Sequence, residues 1–279
     1  MMISGKARVA GVMGWPVSHS RSPRLHGHWL ERYGIDGVYV PLAVPPDRAV
    51  EAIRALPALG FRGCNVTVPH KEAAAAAVDR LHPVARRMGA VNTIVVLEDG
   101  TLEGSNTDGF GFVENLRAGA PGWRAADGPA VVVGAGGAAR GVVVALLDAG
   151  VPRVVLVNRT RERAEALASD VGGPVDVVDW VSRETVLRET ALLVNTTTQG
   201  MVGHPPLDLC PDALPDGAVV TDIVYTPLMT PLLAAAAARG LTTVDGLGML
   251  LHQARPGFAA WFGVEPAVDE ELRRVVLEG

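Results

Sequence analysis

The sequence predicts an α/β protein built as two domains, and three observations carry that expectation. A chain of 279 residues is long for a single hydrophobic core. From about residue 108 onward, short and wholly apolar strand candidates alternate with helical stretches, the pattern of a parallel sheet covered on both faces. Before that point the texture differs, with polar positions interleaved in one strand and a pair of strands that reads as a hairpin.

The elements follow in order. Arg8 to Met13 reads as a first strand, stopped by Gly14-Trp15-Pro16. Ser22-Pro23 has the form of a helix start, with Ser as N-cap and Pro in the first turn. Leu25, Trp29 and Leu30 give that helix an apolar stripe, and Gly34 ends it. A second strand covers Val38 to Ala43, and Asp47 to Leu56 is helical. The next strand spans 63–68, with Cys64, Val66 and Val68 as its apolar face and Asn65 and Thr67 between them. Pro69 ends it, having no N–H for the ladder, and an Ala-rich helix runs from Glu72 to Val78. Val91–Leu97 and Gly104–Asn106 form the hairpin around Glu98-Asp99-Gly100. Apolar strands are then expected at Ala130–Val133, Val154–Val157, Leu192–Val194 and Val219–Val224, with helices at Ala138–Asp148 and Arg161–Ala168. Gly248–Phe262, kinked or broken near Pro256, and Asp269–Leu277 close the chain.

Composition narrows the functional classes. Hydrophobic residues make up 48% and charged ones 20%, which fits a folded globular chain and not a disordered one. The net charge of -5 argues against a nucleic-acid binder, which is usually basic. Cys64 and Cys210 lie far apart and outside any ligand spacing, so neither a disulfide nor a metal site is expected, in keeping with a reducing cytoplasm. The first residues lack a sustained apolar run, and no signal peptide or membrane span is expected.

One motif points to a dinucleotide. Gly134-Ala135-Gly136-Gly137-Ala138 follows the strand Ala130–Val133 and opens a helix. The first glycine permits the tight turn and the second lets the backbone approach a pyrophosphate, which a helix N-terminus then receives. The end of the next strand chooses the nucleotide. An Asp or Glu there would accept from a ribose 2′-hydroxyl, but this chain has Asn158-Arg159-Thr160, with Arg163 one turn on. A guanidinium forks onto a 2′-phosphate, so NADP(H) is the expected cofactor. Arg161 reads instead as part of a solvated helix face.

A second motif points to a polyhydroxylated ligand. The strand 63–68 presents the amide of Asn65 and the hydroxyl of Thr67, and Lys71 follows at its mouth with an ammonium. Such an edge can bind hydroxyl groups and move a proton.

Together with these, His19–Pro23, Asn65–Lys71, Gly89–Thr93, Asn106–Gly109, Gly134–Arg140, Asn158–Thr160, Asn195–Thr197 with Gly200-Met201, Asp222–Pro227 and Gly246–Gln253 resemble the shikimate dehydrogenase family, in family order and spacing. The resemblance implies an N-terminal substrate-binding domain over 1–107, a Rossmann-like NADP-binding domain over 108–244, and C-terminal helices over 245–279 that return to the first domain, with a cleft between domains. It implies reversible NADPH-dependent reduction of 3-dehydroshikimate to shikimate, in aromatic amino-acid biosynthesis. It implies that Ser20, Ser22, Thr67, Asn92, Asp108, Tyr225 and Gln253 bind the small-molecule substrate, and that Lys71 and Asp108 form the catalytic pair. Asn195 to Met201 is expected near the nicotinamide, with Ile223 packing on its ring and Gly246 allowing close approach. The family includes monomers and dimers, so a cytoplasmic monomer or homodimer is expected.

Each residue also has a plainer reading. Ser22 and Asp108 suit helix N-caps, Lys71 a solvated helix start, Asn92 a turn, Tyr225 a half-buried ring and Gln253 a helix surface. Quinate or aminoshikimate dehydrogenase stays open as an alternative, as does a non-catalytic NADPH-binding regulator. Ser22 and Asn158-Arg159-Thr160 lean toward shikimate with NADP, and a regulator would need neither Lys71 nor Asp108. His26-Gly27-His28 makes a poor metal site, because helical i,i+2 rings diverge, and His70 reads as structural.

Overall fold

The computed structural model describes residues 3–278 and divides into two compact units. One runs through Thr107 and takes in Gln253 onward; the other is Asp108–His252.

The first unit is built on a six-stranded mixed sheet. Its strands are β1 (Arg8–Gly14), β2 (Gly37–Ala43), β3 (Phe61–Val66), β4 (Arg80–Leu81), β5 (Thr93–Val96) and β6 (Leu102–Ser105), in the spatial order β2-β1-β3-β5-β6-β4. β2, β1 and β3 are parallel, joined by α1 (Ser22–Arg32) and α2 (Ala49–Ala55). β5 turns antiparallel to β3, and β5 and β6 form the expected hairpin, with Val96 opposite Leu102. Short helices α3 (Lys71–Ala77) and α4 (Pro83–Met88) fill the interval between β3 and β5. Met13, Ile53, Cys64, Ala74 and Ile94 form the core on one face. On the other, α1 meets the end of the chain: Trp29 lies 5.1 Å from Phe258 between ring centroids. The Trp29 indole N–H donates to Ala267 O at 2.9 Å, and that of Trp261 to Ile94 O at 3.0 Å.

Several boundaries differ from the sequence expectation, each for a physical reason. Arg21, not Ser22, holds the N-cap position of α1, and its side chain does not cap the helix. β3 stops at Val66, and Val68 is 69% exposed, so the expected apolar face ends two residues early. Lys71 is the first residue of α3 and not a residue before it. The two-residue β4 is too short to show a pattern.

The second unit carries an all-parallel sheet. After α5 (Asp108–Gly119), it comprises β7 (Ala130–Val133), α6 (Gly137–Asp148), β8 (Val154–Asn158), α7 (Arg161–Val171), β9 (Val175–Asp179), β10 (Leu192–Asn195), β11 (Val219–Asp222), α8 (Pro231–Ala238) and β12 (Thr242–Val244). The spatial order is β12-β11-β10-β7-β8-β9 with every pair parallel. Renumbered within the unit, that is the 3-2-1-4-5-6 order of the Rossmann fold, whose ligands bind where the order reverses, outside the strand C-termini. Here the reversal lies between β7 and β10. The four central strands are buried at nearly every position, as continuous apolar runs predict. β9 and β12, at the two edges, were not expected. Val175–Asp179 intersperses aspartates and is only half-buried, and β12 has three residues, two of them Thr.

α9 (Leu247–Phe262) begins in this unit, where Asn115 Nδ2 donates to Asp245 O at 2.7 Å. Of the expected kink or break near Pro256, the break is absent: one helix runs through it. α10 (Glu270–Leu277) ends the described chain, capped by Asp269, which accepts from Leu272 N at 3.0 Å.

Candidate active site

In the first unit the expected substrate-binding residues sit on strand ends and helix starts around β3. Thr67 leaves β3 half-buried, its N–H donating to Met13 O at 2.9 Å. His70 N–H donates to Thr67 O at 2.9 Å, and that turn delivers Lys71, half-buried, to the first position of α3. Lys71 O accepts from Val91 N at 2.9 Å, which pins the helix start to the segment carrying Asn92. His70 is buried with Nε2 at 2.8 Å from Val44 O, so this nitrogen carries the proton and the ring is a structural tie. At the other end of the group, Ser20 Oγ accepts from Ser22 N at 3.3 Å, and Ser22 is buried. Asn92 is buried, with Nδ2 at 3.4 Å from Gln253 Oε1. The fold thus brings Asn92 and Gln253 together from 161 positions apart.

Asn65 departs from the sequence expectation. It does not form an exposed polar edge with Thr67: it is buried, and Tyr39 Oη donates to its Oδ1 at 2.6 Å. Its Nδ2 donates to Asn92 O and to Thr93 Oγ1, each at 3.2 Å. Burial pushes the Tyr39 phenol well above its ordinary value. His26 stacks on Tyr39 at 3.9 Å and 8°, and its burial drives the imidazole down to about 3, so it is neutral.

In the second unit the expected cofactor residues lie at the C-terminal ends of β7, β8, β10 and β11. Gly134 has φ +116°, and a Cβ there would lie 2.5 Å from Thr196 Oγ1. Gly136 and Gly137 are exposed and would meet nothing within 4 Å, so the turn leaves open space before α6. No side chain of the N-cap Gly136 covers the N–H groups of that helix. Asn158 ends β8 with Nδ2 donating to Thr160 O at 2.8 Å. Arg161 is held by Glu165 at 2.7 Å and Asp179 at 2.8 Å. Arg159 and Arg163 are exposed and, among the described residues, lack an ion-pair partner. Asp108 is the first residue of α5, and Tyr225 lies half-buried in the loop after β11.

A buried polar knot joins those loops. Asp222 is 1% exposed and accepts from Asn195 Nδ2 at 3.0 and 3.1 Å, from Val224 N at 3.0 Å and from Thr230 Oγ1 at 2.8 Å. Burial pushes its carboxyl up, and these donors pull the other way. Asn195 Oδ1 in turn accepts from Thr197 N at 3.0 Å, which shapes the 196–200 loop. A Cβ at Gly246 would run into the Ile223 carbonyl.

Comparison with known proteins bears on what these groups handle. The shikimate dehydrogenase substrate-binding domain model matches residues 12–94, and the shikimate/quinate 5-dehydrogenase model matches residues 122–202. Shikimate dehydrogenase (NADP+) of Paramagnetospirillum magneticum is 66% identical over 99% of this chain and 100% of that protein. The chain belongs to the shikimate dehydrogenase family. Among solved structures, shikimate 5-dehydrogenase from Thermus thermophilus, in complex with NADP(H) and shikimate, is 39% identical with a TM-score of 0.85. It covers 97% of this chain and 99% of that one. Quinate dehydrogenase from Corynebacterium glutamicum, in complex with NAD, is 33% identical with a TM-score of 0.90, over 98% of this chain and 99% of that one.

For a shikimate dehydrogenase family member the second unit fits a dinucleotide on its own geometry. The glycine turn leaves its helix N-terminus open and lies at the strand-order reversal. Two arginines that lack ion-pair partners among the described residues follow β8. Tyr39 carried no signal in the sequence, and Thr93 and Asp222 stood out only as members of the resembling runs; Asn195 was expected in the loop near the nicotinamide and Asn65 on a ligand-binding edge, neither as a buried polar tie. Only the opening alternation of β3 drew attention to Asn65, and buried polar pairing between distant strands has no sequence period.

Proposed function

We propose that this protein catalyses the reversible NADPH-dependent reduction of 3-dehydroshikimate to shikimate, a step in aromatic amino-acid biosynthesis. The observation that carries the proposal is the 66% identity, over 99% of the chain, to a shikimate dehydrogenase (NADP+). The retained Lys71, Asp108 and Asn158-Arg159-Thr160 support it.

When bound, the reduced nicotinamide supplies a hydride to the substrate's ketone carbon. The ketone oxygen then needs a proton, and Lys71 gives it one, a general-acid contribution of typically ~10²–10⁴-fold. Asp108 completes the catalytic pair by orienting the reacting hydroxyl and accepting its hydrogen bond. Ser20, Ser22, Thr67, Asn92, Tyr225 and Gln253 bind the ring hydroxyls and carboxylate. Gly134, Ala135, Gly136, Gly137 and Ala138 receive the pyrophosphate at the start of α6. Asn158, Arg159, Thr160 and Arg163 recognise the adenosine ribose, with the arginines on its 2′-phosphate. Ile223 packs on the nicotinamide, and Gly246 allows the cofactor's close approach.

The protein is further proposed to act in the cytoplasm as a monomer or homodimer, without nucleic-acid partners. Its negative charge and two unpaired cysteines support that reading, and no helix among the described residues is long and apolar enough to cross a membrane. Incubation of the purified protein with 3-dehydroshikimate and NADPH tests the reaction. One shikimate is expected per NADPH consumed, and NADPH loss without shikimate would refute the assignment.

A further inference from the structure

The orientation of the Asn92 amide can be worked out from its neighbours in the first unit. Asn92 Oδ1 lies 2.9 Å from Thr107 N, and a backbone N–H can only donate, so the oxygen and not the nitrogen faces inward. Thr93 Oγ1 lies 2.8 Å from the same oxygen. The Thr93 hydroxyl has one proton, and it is available for Asn92 because Asn65 Nδ2 donates to Thr93 Oγ1. Asn65 cannot be turned round either: its Nδ2 faces the Asn92 carbonyl, an obligate acceptor, and its Oδ1 takes the Tyr39 proton at 2.6 Å. Thr107 Oγ1 is 2.8 Å from Gln253 O, nearer than Asn92 Oδ1 at 3.2 Å or Thr93 Oγ1 at 3.3 Å, so its proton goes to Gln253 O and ties α9 to the same knot. The chain therefore runs from Tyr39 through Asn65 and Thr93 to Asn92, with Asn92 Oδ1 at 2.8 Å the nearer acceptor for the Thr93 proton and Thr107 Oγ1 at 3.3 Å the farther.

We infer that Thr93, Asn65 and Tyr39 are positioning residues that, with the Thr107 N–H, lock Asn92 with its N–H groups toward Gln253 and the ligand, so that Asn92 meets the substrate as a hydrogen-bond donor. This deepens the proposed function and rests on it. All members are buried: Tyr39 and Asn65 are each 6% exposed, and Asn92 and Thr93 each 2%. Reversing the amide would set its NH2 against the Thr107 N–H, leaving buried donors face to face. The lock serves selectivity, because a site built to donate to a substrate hydroxyl rejects an analogue lacking it.

A double-mutant cycle on kcat/KM for shikimate tests this. Thr93→Val keeps the shape and removes the hydroxyl; it is expected to lower kcat/KM about tenfold, through KM for shikimate, with KM for NADP unmoved. Thr93→Ser restores the hydroxyl and should recover most of the loss. In an Asn92→Ala background, Thr93→Val should cost nothing further, since the group it positions is gone. Tyr39→Phe, acting from three hydrogen bonds away, should raise KM for shikimate in the same selective way and keeps the inference testable if Thr93→Val does not fold. Additive losses, or equal rises in both KM values, would overturn the inference. A wild-type enzyme that fails to oxidise shikimate would sink the functional proposal itself, a separate outcome seen before any variant is made.

Discussion

Lys71 owes its position to backbone geometry. The His70 N–H closes a turn onto Thr67 O, and Val91 N–H holds the Lys71 carbonyl, so the side chain emerges from a fixed first turn of α3. Replacing it with alanine should remove the proposed proton donor without disturbing ligand contacts. Lys71→Ala is expected to depress kcat by about 10²–10⁴-fold with KM for shikimate little changed. Steady-state kinetics checks this, and an unchanged kcat would take Lys71 out of the mechanism. Arg159 makes the opposite kind of prediction. Its guanidinium is exposed at the end of β8 with no ion pair among the described residues, whereas Arg161 is committed to Glu165 and Asp179. Arg159→Ala should raise KM for NADP about 10- to 100-fold, the value of one charge-assisted bond of roughly 1.5–3 kcal/mol. The weaker NAD reaction should stay nearly constant; equal effects on both cofactors would contradict the 2′-phosphate assignment. Lys71 and Arg159 were legible because each follows a strand-and-turn signal in sequence. Asn65 was legible as a polar strand residue but not as a buried one, since its partners Tyr39, Asn92 and Thr93 come from β2 and from the entry to β5.

Among the elements, the loops after β10 and β11 depend on Asp222. The carboxylate takes four hydrogen bonds in the interior, and its amide partner Asn195 extends the order to Thr197 and Gln199. Asp222→Asn sets an NH2 against one of those donors and should cost about 1–3 kcal/mol of stability. Urea unfolding with an unchanged slope checks the cost. Burial also raises the Asp222 carboxyl, so the folded state holds its proton more tightly than the unfolded chain does. Its contribution is therefore fullest below the ordinary carboxylate range and is lost as pH rises through that range to the raised value. The asparagine variant should lack this part of the pH dependence. α10 gives a simpler case. Its N-cap Asp269 accepts from Leu272 N and pairs with Arg32 of α1, while Leu272 and Val276 bury its apolar stripe. Asp269→Ala should destabilise the protein by about 1 kcal/mol, most of it from the lost cap, measured as a lowered thermal midpoint. Edge elements were the hard ones to foresee. β9 and β12 lie at the margins of the parallel sheet, where half-burial permits aspartate and threonine and no apolar run develops.

At the scale of the molecule, each unit carries one half of the proposed chemistry. The first unit offers the proposed hydroxyl-binding set around Asn92 and Gln253, with Lys71 among its half-buried residues; the second offers the open glycine turn and the arginines after β8. The division was visible in sequence because continuous apolar strands and interleaved ones differ in texture. The mixed sheet of the first unit was not, since the antiparallel pairing of β5 with β3 leaves no local mark. The central claim is that these two sets serve one reaction on shikimate with NADP. The most direct test is a matched set of initial-rate measurements on the purified protein, with shikimate and quinate each paired with NADP and NAD. The account predicts by far the highest kcat/KM for shikimate with NADP; no turnover of shikimate, or a clear preference for quinate with NAD, would contradict it.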